Sequence, residues 1–484
     1  MNKTIKDHFD VDDHQVINLA MGLKYPIDIE ALKLAFCNSV LIKNPKFCSV
    51  ITTDKKGKKN WQKTHVNIND HLIIHHHLSP TTTTVDTSLE DYKEATINAF
   101  LTNAAGSSKL TFDQNKPLWK LHVLMDLNCV VLRVHHALGD EFSLMSMLSA
   151  CFGRNSENIK QKGYMDDYQS MKSNIHMKKN RGFWEVFQSL WLTLIYLLRF
   201  VGRILWIKDE FSEVDESNKC VVWPSKLVSA EYMLEDFWYV KTAIPCTTIN
   251  DVLLGVISCG LSKYIDLEST RAKLKEQQHS LTAIFKVNLH KDPTVLQKFE
   301  DMMKTSSGSS TWGDKTSLVL LPIYCRKRLH PLEHVTVMKA IMNKKKMSYE
   351  ANCIHFAKKC IASCLGPKVG SWFYDRALSN STLMISTIKG PAEEIVIGNN
   401  PVTYIRGHIS SKSHAGITIS MVSYAGRVDV QVMVAKEVIS NPHLLIKCFH
   451  ESLLEMKSYS KLIHLLLSTG NTTYNTSVDW FLYV

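Results

Sequence analysis

Val186 to Ile207 is the most apolar stretch of the chain, and it divides what this sequence can build. Its length suits a membrane crossing. Ser189, Tyr196, Arg199 and Arg203 nevertheless recur at helical spacing and lay a polar stripe along it. An arginine at the centre of a spanning helix costs about 2.5–3.5 kcal/mol on the insertion scale. These two lie toward the C-terminal end, from where they can snorkel. Three arrangements fit: a single span, a helix lying in the interface, and a buried amphipathic helix. The first two stand level, and membrane contact is favoured over none. Residues 153–182, just upstream, are polar and rich in Lys, Asn and Ser, as linkers are. The chain therefore divides into a first region 1–152, a linker with the apolar helix at 153–215, a second region 216–463 and a tail 464–484.

Both flanking regions alternate strand-like and helix-like stretches, so the fold class is α/β. In the first, Val50 to Val66 reads as a hairpin with a Lys-rich turn at Asp54–Lys59 and Trp61 opening the return strand. Leu121–Met125 and Val130–Val134 read as short apolar strands, and Phe142–Cys151 as a helix. In the second, Ile249–Ile265 reads as a helix opening at Asn250-Asp251, and Leu281–Leu289 and Ser317–Ile323 as strands. A Lys-rich helix is expected over His334–Leu365. Strands are expected at Met384–Ile388, Ile417–Tyr424 and Arg427–Val434, with a last helix from about Pro442 to Tyr459. His464–Val484 shows no clear pattern.

At 484 residues the chain exceeds what one core usually covers, so two domains are the prior. Formal net charge is +11, from 57 basic and 46 acidic residues. A basic balance suits a membrane surface or the phosphates of a cofactor. No recognised nucleic-acid motif accompanies it, so nucleic acid is not expected as a partner. Twelve scattered cysteines form no disulfide-like framework, and the polar start MNKTIKDHFDVDDHQ carries no signal-peptide core. Both point to a reduced, cytosol-facing protein.

The sharpest local feature is the decapeptide Val131-Leu132-Arg133-Val134-His135-His136-Ala137-Leu138-Gly139-Asp140. An apolar strand runs into two histidines, Asp140 follows His136 by four, and a helix starts just after. Strand ends are where α/β folds commonly present functional groups. A histidine there can act as general base toward a hydroxyl, because imidazole titrates near operating pH. The competing reading, a structural pair with Asp140 as helix N-cap, stands level on these ten residues alone.

Further motifs follow in order. Pro117-Leu118-Trp119-Lys120-Leu121-His122 precedes HHxxxD by one hairpin. The second region carries Thr248-Ile249-Asn250-Asp251-Val252-Leu253-Leu254-Gly255, Val287-Asn288-Leu289, Trp312-Gly313-Asp314 and Leu321-Pro322. Ser386-Thr387-Ile388-Lys389-Gly390-Pro391 and Thr418-Ile419-Ser420-Met421-Val422-Ser423-Tyr424 come later. From about residue 14 to 460 the chain resembles the plant-type bifunctional wax ester synthase/diacylglycerol acyltransferase family.

That resemblance implies two chloramphenicol-acetyltransferase-like domains joined by a crossover, with the hydrophobic membrane-associated helix between them. It implies a channel between the domains, entered by fatty acyl-CoA on one side and a fatty alcohol or diacylglycerol on the other. His136 corresponds to the catalytic second histidine of HHxxxDG, His135 to the supporting first, and Asp140 to the structural, orienting aspartate. Asn250 and Asp251 match the ND motif of the second domain and are candidate substrate contacts, with Asn250 a candidate oxyanion donor and a helix cap the alternative. No metal and no cofactor are implied, since acyl-CoA is a substrate. The endoplasmic reticulum membrane is the expected location, with the plasma membrane a second candidate and the catalytic domains facing the cytosol.

The chain departs from the family in three places. HHxxxDG ends here in Glu141, SNxxGP reads Ser386-Thr387-x-x-Gly390-Pro391, and WGN reads Trp312-Gly313-Asp314. The sequence also starts close to its expected first core strand, ahead of which the family commonly carries a leading segment. Gly at 141 would permit close approach or an unusual backbone angle. The Glu141 carboxylate either pairs with His136 or turns to solvent as a first-turn helix acid. On backbone fit, Glu141→Gly is expected to raise the rate. Two other functions compete: an acyltransferase for phenolic or alkaloid hydroxyls, whose usual DFGWG motif is missing, and a silent lipid- or acyl-CoA-binding relative.

His75-His76-His77 makes a poor metal site, because consecutive strand residues point to alternate faces. Cys353, His355, Cys360 and Cys364 lack a paired CxxC knuckle, and helix packing is the favoured reading.

Overall fold

The computed structural model describes residues 15–468 apart from 55–58, 79–87, 107–111, 114, 153–181, 208, 210–224, 273–278, 290–314, 326–328, 411–415, 436–437 and 440. Two six-stranded sheets organise it. The first combines β1 (Val16–Leu23), β4 (Leu72–His75), β5 (Trp119–Leu124) and β6 (Cys129–His135) with two strands from far down the chain, β11 (Val396–Ile397) and β12 (Asn400–Ser410). The expected hairpin is present as β2 (Ser49–Thr53) with β3 (Lys59–Lys63), but Trp61 lies in the middle of the return strand, opposite Ile51, rather than opening it. Its turn at 55–58 lies outside the described residues.

β6 shows why the strands form where they do. Val130, Leu132 and Val134 point to one core with Ile17, Leu19 and Met21 of β1. Cys129 and Val131 point to the other face with Ala20. A strand apolar on both faces is buried on both faces. The first face is covered by α1 (Ile29–Asn38) and α3 (Glu141–Phe152), through Leu32, Phe36, Leu144 and Leu148. The second face is partly covered by α2 (Leu89–Gly106), through Ile97 and Leu101.

The second sheet runs β7-β14-β13-β10-β8-β9, with β7 Ser225–Met233, β8 His279–Asn288, β9 Thr316–Cys325, β10 Leu383–Lys389, β13 Ile417–Tyr424 and β14 Arg427–Ala435. Its outer face buries Val430, Val432, Ile419, Ile385 and Phe285 against helices. These are α5 (Leu234–Ala243), α6 (Ile249–Ala272), α7 (Pro331–Met347) and α10 (Pro442–Ser468). Sheet membership does not follow the sequence blocks expected above. β12 lies in the second block, yet it pairs with β1 in register from Val16↔Ser410 to Gly22↔Tyr404, with a shift before Leu23↔Val402. That crossover joins the halves.

Two helical expectations change. The Lys-rich stretch is not one helix but two, α7 and α8 (Glu350–Cys364), followed by α9 (Pro367–Ser379). The break falls where Ser348 turns extended and its hydroxyl donates to Lys345 O, while Tyr349 N donates to Thr193 Oγ1 at 2.9 Å. A partner from another helix satisfies the donor that continuation would have used. The last helix runs past Tyr459 to Ser468.

The apolar stretch is helix α4, Phe183–Leu205, and among the described residues it alone is long and apolar enough to cross a membrane. Four of its polar residues face inward, Ser189, Thr193, Tyr196 and Arg203, buried against the second half, whereas Arg199 of the expected stripe is exposed. The linker 153–182 lies outside the described residues except Gly182, which caps α4.

Candidate active site

β6 ends at His135, and the chain makes one 3-10 turn over His136–Leu138 before α3 starts at Glu141. The turn is held by backbone. His135 N donates to Leu118 O and His136 N to Gln15 O, both at 3.0 Å, and Gly139 N closes back on His136 O at 3.1 Å. His135 is buried, and its Nδ1 accepts from Ala137 N at 3.1 Å. An Nδ1 that accepts leaves the ring proton on Nε2 of the neutral imidazole. His135 thus shapes the turn, and Phe112 stands edge-on to its ring at 6.1 Å. His136 is half-buried at the head of the turn.

Asp140 is fully buried, and both its oxygens are used. Oδ1 accepts from Ser143 N at 2.8 Å, which makes Asp140 the N-cap of α3. Oδ2 accepts from Lys315 N, just ahead of β9, at 3.2 Å. The carboxylate therefore caps its own helix and ties the histidine turn to the second half.

Glu141 corrects both sequence readings. It opens α3 with helical backbone and is absent from the positive-φ residues, so no glycine-like angle is needed. Its side chain is only 1% exposed, so it does not turn to solvent. Both oxygens accept from Lys286 Nζ of β8, at 2.6 and 2.8 Å. Lys286 is 3% exposed.

Lys286 stands at one end of a polar row on the inner face of the second sheet. Register places Ser386 beside it, then Ser420, Gln431 and Ser229 on successive strands. Ser229 Oγ donates to Asn98 Oδ1 of α2 at 2.8 Å, so this face meets the first half at both ends. The Ser386 hydroxyl and both polar atoms of the Gln431 amide are buried with no hydrogen-bond partner among the described residues. Buried polar groups seldom go unsatisfied, so such groups point to a bound ligand or water. Ser386 belongs to a quoted motif. Gln431 was missed, and its only sequence signal is a polar residue amid the alternating valines of β14.

Gly390, from the same motif, has a steric reason. A Cβ there would stand 2.5 Å from Ser423 O, and Met145 Sδ of α3 lies 3.6 Å away. Asn250 and Asp251 lie elsewhere, at the start of α6 on the outer side of the second sheet. Asp251 Oδ2 accepts from Thr248 N and Thr248 Oγ1 at 2.8 and 2.7 Å, while Thr248 Oγ1 accepts from Asp251 N at 3.3 Å. This is a reciprocal capping arrangement. Asp251→Ala is accordingly expected to cost about 1 kcal/mol in a denaturant titration, in line with caps generally, and to leave KM for acyl-CoA unchanged. A raised KM at unchanged stability would return Asp251 to the site. Asn250 is half-buried. Trp312-Gly313-Asp314 lies outside the described residues.

Histidines of the other two groups have structural surroundings, whereas Cys353 and Cys360 are half-buried and Cys364 is exposed. His75 Nε2 lies 2.9 Å from His122 Nδ1, and burial pulls the His122 pKa down to about 3. His355 Nδ1 lies 3.0 Å from Thr316 O.

Comparison with known proteins agrees with this architecture. Residues 312–457 match the family model of the WS/DGAT C-terminal domain. Wax ester synthase/diacylglycerol acyltransferase 4 of Arabidopsis thaliana is 29% identical, across 96% of this chain and 91% of that protein. Number 11 of the same plant is also 29% identical, covering 92% of each. In fold, the chain is similar to the wax ester synthase/diacylglycerol acyltransferase from Marinobacter aquaeolei VT8. That TM-score is 0.53 at 13% identity, over 94% of this chain and 96% of that one. Polyketide synthase associated protein 5 from Mycobacterium tuberculosis gives 0.51 at 13% identity, over 93% and 96%. The chain is an acyltransferase with the two-domain chloramphenicol-acetyltransferase-like fold. Residues 312–457 carry the match to the WS/DGAT C-terminal domain, and over most of its length the chain is similar to plant wax ester synthase/diacylglycerol acyltransferases.

Proposed function

We propose that the protein transfers a long-chain fatty acyl group from coenzyme A to a fatty alcohol or to 1,2-diacylglycerol, with His136 as general base. The observation that carries this reading is the turn itself: a half-buried histidine at a strand end, fixed by backbone bonds on both sides and tied to the second half through Asp140. An alcohol becomes a competent nucleophile as its proton leaves. The His136 imidazole takes that proton while the alcohol oxygen attacks the thioester carbonyl. The tetrahedral intermediate collapses with cleavage of the C–S bond, and the imidazolium returns the proton to the departing thiolate. Ester and free CoA result, with no acyl-enzyme, metal or cofactor.

The oxyanion needs donors. The Ser386 hydroxyl is buried without a partner among the described residues, which favours it over Asn250. The enzyme would work at the endoplasmic reticulum membrane, or at the plasma membrane, with both halves in the cytosol where acyl-CoA is made.

The silent-relative reading rested on Glu141 disturbing His136, and Lys286 instead engages both Glu141 oxygens. The deciding test is purified protein with radiolabelled palmitoyl-CoA and either hexadecanol or diacylglycerol. Labelled wax ester or triacylglycerol is expected. No product with either acceptor, from folded protein, would overturn the proposal.

A further inference from the structure

Helix α4 is built inside out. Its exposed side carries Phe183, Trp184, Phe187, Leu190, Trp191, Leu194, Leu198, Val201 and Leu205, a continuous stripe at helical spacing. Only Gln188 and Arg199 interrupt the apolar character of the exposed positions. The opposite side carries polar residues bonded to the second half, with Ile204 and Phe200 packed into an apolar cluster near its C-terminal end. Thr193 Oγ1 accepts from Tyr349 N at 2.9 Å, and the Tyr196 ring lies 3.6 Å from Lys345 Nζ. Arg203 pairs with Asp209 at 2.8 Å and donates to Asn380 O at 2.9 Å. An ordinary surface helix on a water-soluble domain does the reverse. Exposed apolar surface of this extent marks an interaction site.

We propose that α4 lies flat in one leaflet of an anionic membrane, its apolar stripe among the acyl chains and its polar side on the protein. Three observations favour this occupant over a crossing or a protein partner. First, the polar attachments run from Thr193 to Arg203, so over that C-terminal half the helix axis follows the protein surface. Second, Tyr196 near the helix middle touches Lys345, and Lys345 pairs with Glu350 at 2.7 Å. A crossing would carry that ion pair to the bilayer centre, where charges are expensive. Third, the helices that bed α4 are cationic outside. Lys344 and Lys346 of α7, Lys358 and Lys359 of α8 and Lys368 of α9 are exposed, and neither α8 nor α9 exposes an acid. Lysines flanking an apolar stripe match anionic headgroups. Trp372 of α9, itself packed beside α4, adds an exposed indole.

The placement is tested on full-length protein by co-sedimentation with phosphatidylcholine/phosphatidylserine vesicles. Leu194→Glu and Trp191→Glu should keep the wild-type melting temperature and lower vesicle partition about tenfold or more each, since one buried large apolar side chain corresponds to at least that factor. Depth is read with brominated lipids, from the fluorescence that Trp191→Phe removes. Strongest quenching by bromines near the headgroups is expected, because in-plane helices sit about 5–10 Å into the boundary region. Unchanged partition in both variants overturns the proposal. So does strongest quenching by chain-terminal bromines, which means a crossing, or a wild-type dimer that buries α4 and ignores vesicles. Transfer to a short water-soluble alcohol, followed in parallel, separates a lost membrane site from a lost reaction.

Discussion

His136→Ala is expected to lower turnover by roughly 10²–10⁴-fold, the usual contribution of a positioned general acid–base group. The fold should survive. His136 is half-buried, and its bonds within the turn run through backbone atoms, its N to Gln15 O and its O from Gly139 N. Alanine retains both. KM for acyl-CoA should change little, because the lost interaction belongs to proton transfer rather than to binding. His135→Ala is the informative companion. It removes the acceptor for Ala137 N and so disturbs the turn as well as activity. Steady-state kinetics with saturating acyl-CoA, beside melting curves, separate the two. A folded His136→Ala enzyme with near-normal turnover would rule out the base.

How much of this was legible in sequence varied with the range of the interactions. β6 and its turn were readable because an apolar run, two histidines and a helix start are contiguous in the chain. β8, β10, β13 and β14 were readable because each buries alternating apolar residues in one core. β12 was not. Its residues Tyr404, Arg406 and His408 are polar or amphipathic, and its partner β1 lies near the other end of the chain. The break between α7 and α8 depends on Thr193 of α4, again a distant residue. The site divided in the same way. Asp140 as a cap was visible locally, whereas its bond to Lys315 N was not. For α4 the polar stripe was legible, but periodicity is blind to which side faces the protein.

Glu141 is the position where distance in the chain misled most, and its substitution is expected to act opposite to the sequence reading. Glycine at 141 would relieve no strain, because α3 already has helical backbone there. It would instead take from the buried Lys286 ammonium the carboxylate that accepts from it twice. Removing one partner of a buried ion pair costs about 3–5 kcal/mol, since an uncompensated charge remains. Glu141→Gly and Lys286→Met should each lose stability on that scale in denaturant titrations, and each should lower turnover. β8 would no longer hold the start of α3, next to Asp140 and the histidine turn. The double variant Glu141→Gln/Lys286→Met removes both charges, and replacing both members of such a pair is often nearly neutral. It should therefore recover most of the stability lost by either single change, a coupling that a double-mutant cycle with Glu141→Gln and Lys286→Met as the matching singles measures directly. If turnover stays low while stability returns, the ion pair sets the geometry of the turn. If turnover returns with stability, the pair only holds the fold. Single variants as stable as wild type would show that this ion pair does not join the two halves in solution.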